Sequence, residues 1–272
     1  MLTSSKTQTT VPIHAEHVHD NTARICGVIT KLWLQDRNVL CRLKSMVEDQ
    51  PSYLTLFFPD GQPLSGPPIS LAPGLRLIVN GYLRDVEYRE SFAQVLDAGG
   101  WPKLIQPGDE TILIKQTTTQ LVVESCEPAS PDGDDINEAR LSGIVAKVWR
   151  RPGKDESDVF ASLAIYDEHA AITGLGRKGL PRRKAHYVRL IFPRGLTADG
   201  FKVDSHLAKR VVLITGPVCS LDYRDRLDWL LERSTRANRP IDEDAAHLRV
   251  NHSLTRVLGN RIIVLSGNPG RD

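Results

Sequence analysis

The chain has 272 residues, with 35 Lys and Arg against 33 Asp and Glu and a formal net charge of +2. So even a balance excludes a uniformly basic coat for nucleic acid and leaves only locally concentrated positive charge. No apolar run approaches the roughly 20 residues that a membrane-crossing helix needs.

Residues 1–20 read as a polar tail. The stretch Met1 to Thr10 lacks the apolar centre of a secretion signal, so the expected location is the cytoplasm. His14, His17 and His19 stand beside Glu16 and Asp20 with nothing nearby to hold them as metal ligands, so a solvated tail is the expectation. Ile25, Val28, Ile29 and Leu32 predict a first strand. Gly27 lies inside it, where glycine marks a bulge or a barrel corner. Gln35-Asp-Arg-Asn38 is a turn, Val39 to Leu43 a second strand, and Tyr53 to Phe58 a third, ended by Pro59-Asp-Gly61. Residues 62–74 are too rich in Pro and Gly for a long helix. A fourth strand, Leu75 to Leu83, runs into the arm Arg84-Asp-Val-Glu-Tyr-Arg-Glu90. Residues 97–108 form a loop carrying Trp101, and Thr111 to Ser125 a fifth strand. Five short strands without a long amphipathic helix predict a small β-barrel. Residues 127–138 are an acidic Pro/Gly linker whose glycine and closing glutamate are misplaced for a calcium loop.

The plan then repeats. Ala23-Arg-Ile-Cys-Gly-Val-Ile-Thr-Lys-Leu-Trp33 returns as Ala139-Arg-Leu-Ser-Gly-Ile-Val-Ala-Lys-Val-Trp149. Tyr53-Leu-Thr-Leu-Phe-Phe-Pro-Asp-Gly61 returns as Tyr187-Val-Arg-Leu-Ile-Phe-Pro-Arg-Gly195, and Leu75 to Arg89 is echoed by Arg210 to Arg224. Three blocks in one order predict two copies of one domain. The expected limits are a tail at 1–20, a first barrel at 21–126, a linker at 127–138, a second barrel at 139–266 and a tail at 267–272. In the second copy, strands are expected at 139–149, 159–166, 186–192, 210–218 and 261–265. A helical turn is expected at 203–208, an arm at 220–231 and a charged loop at 232–246. The second copy also carries an insertion with Arg177, Lys178, Arg182, Arg183 and Lys184 and no acid, which reads as a flexible basic finger. Cys26, Cys41, Cys126 and Cys219 lie far apart without a CxxC pair. They make neither a zinc knuckle nor a disulfide framework, and read as small buried or half-buried residues of a reducing compartment.

Catalytic patterns do not emerge. Gly174-Leu-Gly-Arg-Lys-Gly179 follows no parallel-sheet strand and lacks the Lys-Ser/Thr of a phosphate loop. There is no HExxH, no nucleophile elbow and no Cys/His metal spacing. Asp85 with Glu87, and Asp222 with Asp225, sit on arms that look exposed beside basic neighbours, so ion pairing is expected of them. The expectation is a protein that is not an enzyme and needs no cofactor.

Basic and aromatic side chains instead interleave: Lys31/Trp33, Arg84/Tyr88/Arg89, Lys147/Trp149, Tyr187/Arg189 and Tyr223/Arg224. Single-stranded nucleic acid needs both kinds, cations for phosphates and flat rings for unpaired bases. In a strand, residues two apart share a face, so Lys31 with Trp33, and Tyr187 with Arg189, can present ring and charge side by side. Trp33 and Trp149 also suit half-buried packing, Phe58 and Phe192 suit the core, and the basic finger also suits a solvated loop. Tyr88 and Tyr223, each on a polar arm, are harder to bury.

These residues resemble the bacterial single-stranded DNA-binding protein family, whose domain is an OB-fold. The likeness lies in Gly27 and Gly143 of the first strands, in Tyr187-Val-Arg-Leu-Ile-Phe192, and in Val79-Asn-Gly-Tyr-Leu-Arg84 leading to Tyr88. It implies two tandem five-stranded OB barrels, all β, that bind single-stranded DNA with little sequence preference in replication, recombination or repair. It also implies stacking by Tyr88 and Tyr223 and, on the third strand, by Tyr53 and Tyr187. A register shifted by one would make Phe58 and Phe192 the stacking rings but would turn Arg189 into the core, where an unpaired guanidinium is costly. Outward Tyr187 and Arg189 are therefore expected. The tandem layout resembles family members that dimerise, so a homo-oligomer, foremost a dimer, is expected, and the family's acidic C-terminal tip has no counterpart in Gly267 to Asp272. RNA as ligand, or a protein-interaction module of a replication or restart complex, are the competing readings. The second copy, with the finger and with Arg189 where the first has Thr55, is expected to carry more of the affinity, and the first more of the assembly.

Overall fold

The computed structural model describes residues 19–150, 158–175, 181–232, 234 and 247–266. The first copy is built from β1 (Asn21–Gln35), β2 (Asn38–Val47), β3 (Gln50–Phe58), β4 (Arg76–Ser91), α1 (Phe92–Ala98) and β5 (Leu113–Pro128). Antiparallel ladders join β1 to β2, β2 to β3, β4 to β5 and β1 to β4, and a short parallel contact joins β3 to β5. The circuit is closed, so this five-stranded barrel has no free edge.

The second copy wraps the same way. Its strands are β6 (Asn137–Arg150), β7 (Val159–Ile165), β8 (Ile172–Leu175), β9 (Pro181–Arg183), β10 (His186–Phe192), β11 (Val211–Gly216) and β12 (Val218–Arg226). After α2 (Leu227–Glu232) come β13 (Arg249–Leu258) and β14 (Arg261–Ser266). Here β11 and β12 together take the place of β4. They are parted at Pro217, which has no N–H to give a ladder. Likewise β13 and β14 together replace β5, with the parallel contact now between β10 and β13. The chain is thus all β in its framework, two OB barrels in tandem.

Gly27 and Gly143 explain the bend of each first strand. A Cβ on Gly27 would come 2.4 Å from the Lys44 carbonyl oxygen, and one on Gly143 2.5 Å from that of Ala164. Just beyond them the ladders to β2 and β7 slip, between Ile29 and Lys31 and between Val145 and Lys147. Alternation then fills both interiors. Ile25, Leu43, Leu54, Leu56, Phe58 and Val79 line one barrel, and Leu141, Leu163, Val188, Leu190, Phe192 and Ile214 the other, in one continuous apolar cluster. Of the four cysteines, all free, Cys26, Cys41 and Cys219 are buried. No helix among the described residues is long and apolar enough to cross a membrane.

The seam between the barrels is a ladder. β1 pairs antiparallel with β6, with Ala23 opposite Ala139, Asn21 opposite Leu141 and Ile25 opposite Asn137. Where β1 leaves β4, the Asn21 side chain takes over as a peptide would. It receives the Leu83 N–H at 2.9 Å, and donates to the Leu83 carbonyl at 2.9 Å and to Asp167 at 3.0 Å across the seam. Asn137 does the same in the other copy. It receives the Val218 N–H at 2.8 Å, and donates to the Val218 carbonyl at 2.9 Å and to Ser45 at 3.0 Å.

Several expectations need correction. Residues 127–138 are not a free spacer. Asn137 and Glu138 already belong to β6, the Cys26 N–H donates to the Ile136 carbonyl at 2.6 Å, and Arg76 pairs with Asp135 at 3.0 Å. A helix, α1, enters the stretch expected as loop. It is started by a capping box in which Ser91 receives the Gln94 N–H and Gln94 receives that of Ser91. A whole strand, β13, lies between the charged loop and the strand expected last. Its alternation was hidden because it buries Arg256 as well as Val250, Leu254 and Val257. The basic insertion forms the β8–β9 hairpin, with Ile172 opposite Arg183 and Gly174 opposite Arg182. Arg177 and Lys178, and the side chains of Arg182 and Arg183, lie outside the described residues.

Candidate nucleic-acid interface

The third strands settle which side chains face out. Phe58 and Phe192 are buried at 0% and 1% exposure, as are Val188 and Leu190, whereas Tyr187 is 48% exposed. Tyr187 and Arg189 therefore point outward, and the phenylalanines are core.

Cross-strand rows carry the outer faces. On the second barrel Ser162 stands between Lys147 and Arg189, and Phe160 between Trp149 and Ile191. The Trp149 ring stacks on Phe160 with centroids 5.9 Å apart, and the Lys147 ammonium lies 5.8 Å from the Trp149 ring. On the first barrel the matching rows are Lys31, Arg42 and Thr55, then Trp33, Leu40 and Phe57. The cation that the second copy carries on its third strand thus sits on the second strand of the first copy, as Arg42. Its guanidinium lies 4.8 Å from the Tyr53 ring, and that of Arg84 lies 4.3 Å from Phe57. Tyr53 and Phe57 are therefore capped by arginines, while Tyr187 is half exposed. Burial lowers the pKa of Arg84 from its ordinary value, and its Nε is buried without a hydrogen-bond partner.

A groove of about 700 Å³ brings Lys147, Trp149, Phe160, Tyr187 and Arg189 of the second barrel against Glu87, Lys115 and Thr117 of the first. Trp229 of α2 and Arg256 of β13 complete it. Asp85 sits behind Arg189, its carboxylate 3.4 Å from the guanidinium Nε and bonded to Thr119 at 2.8 Å. Burial pushes the Asp85 carboxyl up, opposed by Arg256, by the Thr119 hydroxyl and by Arg189. Arg189 also donates to the Thr117 hydroxyl at 3.2 Å, and Arg256 to the Thr117 carbonyl at 2.8 Å. Ion pairing of Asp85 is therefore real, but its partner comes from the other barrel and the acid is buried, contrary to the exposed arm expected. Glu87 pairs with Lys115 at 3.2 Å, and Asp225 is buried at 6% exposure.

The expected site residues thus divide. Lys147, Trp149, Tyr187 and Arg189 converge on the groove. Lys31, Trp33, Tyr53 and Arg84 lie on the first barrel's outer face. Tyr88 and Arg84 project from the opposite side of β4 to Asp85 and Glu87, by strand alternation. Tyr88 is half-buried, its phenol pushed up to about 12 by burial, with Glu90 adding to that. Arg89 is exposed near the arm tip and Lys184 at the base of the hairpin. Tyr223 and Arg224 stand in β12 opposite His252 and Asn251. Sequence reasoning missed Arg42, Phe57, Lys115, Trp229 and Arg256. Arg42 and Lys44 alternate with buried Cys41 and Leu43, a signal that would have found them. Lys115 shows itself only through the packing of one barrel on the other.

No family model matches the chain, and no curated protein matches it. Two solved structures of the single-stranded DNA-binding protein from Thermus aquaticus are similar to it. One is of a mutant with an internal deletion and an arginine-to-alanine substitution. It is 14% identical over 94% of this chain and 99% of that one, with a TM-score of 0.47. The other, of the wild type, is 12% identical over 94% and 98% of the two chains, with a TM-score of 0.47. Likeness at that level says nothing of what this chain binds.

Proposed function

We propose that the chain binds single-stranded DNA, largely without regard to sequence, on the outer faces of its barrels and foremost in the groove at Tyr187. The observation that carries this reading is the convergence of open or half-open rings (Trp149, Tyr187, Trp229) with Lys115, Lys147 and Arg189 in one groove. Rings there offer stacking surface to unpaired bases, worth about 1–3 kcal/mol per base, and the ammonium and guanidinium groups meet the phosphates between them. Duplex keeps its bases stacked on one another, so it forgoes the first contribution. Stacking is indifferent to base identity, which gives the tolerance of sequence. The second barrel dominates in this reading because Tyr187 is half exposed, while arginines cap Tyr53 and Phe57 of the first.

The test is a titration of fluorescent oligo(dT) at rising salt, with oligo(U) alongside. Affinity is expected to fall with salt at a slope of about 0.7 for each phosphate neutralised. Tyr187→Ala is expected to lose about 1–3 kcal/mol. Absence of binding at low salt refutes the reading. Tighter binding of oligo(U) turns it toward RNA.

A further inference from the structure

We infer that the groove is a composite site that neither barrel completes alone, in which Lys115 of the first barrel contacts the phosphate backbone of a strand stacked on the second. The inference rests on the single-strand reading above. Three observations lead to it. First, Lys115 lines the groove together with Lys147, with its side chain 47% exposed and, among the described residues, paired with the exposed Glu87. A surface ion pair of that kind is worth little, so the ammonium exchanges Glu87 for a phosphate readily. Second, the two walls are fastened beneath the groove. Arg189 reaches across to Asp85 and Thr117, and Arg256 to the Thr117 carbonyl. The strands that carry Lys115 and Tyr187 are therefore held together by part-buried polar contacts before any ligand arrives, which spares the cost of bringing the two walls together on binding.

Third, the arrangement is not repeated by the internal symmetry. Lys115 stands opposite Arg89 in the β4–β5 ladder, and the equivalent place opposite Arg224 in the β12–β13 ladder is held by Asn251. At that register position the second copy thus carries an asparagine in place of the lysine, just as Thr55 stands where the second copy has Arg189. The ligand chemistry is accordingly that of a flexible polyanion with flat rings, seated across the seam.

The experiment is fluorescence anisotropy with oligo(dT) of about 10 nucleotides, within the span of one OB barrel. It is run on the full chain and on Lys115→Ala, Lys115→Arg, Lys147→Ala and Lys103→Ala, with thermal melts to confirm that each is folded. Lys103 lies outside the groove and serves as control. Lys115→Ala is expected to bind at least about threefold more weakly and to lower the salt slope by about 0.7, as Lys147→Ala does. Lys115→Arg and Lys103→Ala are expected to match the parent. If the parent binds and Lys115→Ala binds equally well, the composite groove is wrong while the single-strand reading survives. If the parent does not bind oligo(dT) at low salt, the reading itself falls, and the composite groove with it.

Discussion

At the scale of the residue, the two asparagines at the seam do what no apolar side chain can. Asn21 and Asn137 each present a carboxamide to a strand whose ladder partner has turned away, and each still has an N–H left for the opposite barrel. Val218, whose N–H and carbonyl Asn137 serves, is buried at 1% exposure. Asn137→Ala strands the Val218 N–H, leaves its carbonyl with the longer contact from the Ser52 hydroxyl at 3.4 Å, and is expected to lower stability by about 2 kcal/mol. Denaturant unfolding monitored by circular dichroism measures it, and a loss below about 0.5 kcal/mol would show that water replaces the carboxamide. These two residues stand at matching places in the repeat, two positions ahead of the alanine that opens each recognisable block. Their chemistry was not legible, because an asparagine before a strand reads as a turn residue until the strand is seen to change partners. Tyr187 and Arg189 were legible, since an outward arginine fixes the parity of the strand that carries it.

At the scale of the element, the arms behave differently from their polar composition. β4 and β12 run past the barrels into α1 and α2, where Phe92, Val95, Leu96, Leu227, Leu230 and Leu231 close a second apolar cluster with Ile112, Ile114 and Val250. Each copy contributes to it, so neither arm has a core of its own. Leu230→Ala is expected to cost about 2–5 kcal/mol. Because α2 also carries Trp229 into the groove, oligo(dT) affinity is expected to fall in the same variant. Calorimetry and anisotropy together check this, and unchanged affinity in a destabilised variant would separate α2 from the groove. The barrel strands were readable from alternation and from Gly27 and Gly143. The arms were not, because their apolar residues sit in short helices of six and seven residues, too brief for periodicity to show. β13 escaped for the related reason that it buries a cation, Arg256, between the barrels.

At the scale of the whole molecule, repetition in the sequence becomes a near two-fold arrangement in space. Its axis passes where Ala23 meets Ala139, with positions that correspond in the repeat facing each other across it in reversed order. An edge that pairs with its own repeat is an edge that can pair with itself. Residues 19–128 alone, and 136–266 alone, are accordingly expected to form dimers through that ladder. Sedimentation of each half measures this, and two monomeric halves would count against a self-complementary edge. Joined in one chain, the halves meet at the high effective concentration that a short tether confers, and Arg76 holds the tether down through Asp135 and the Gly133 carbonyl. The same register also admits exchange: β1 of one molecule fits β6 of another as well as its own. Deleting residues between Pro128 and Asn137 would remove the advantage of the partner in cis. It would convert a seam closed within one chain into a reciprocal exchange between two, with every contact of the seam preserved.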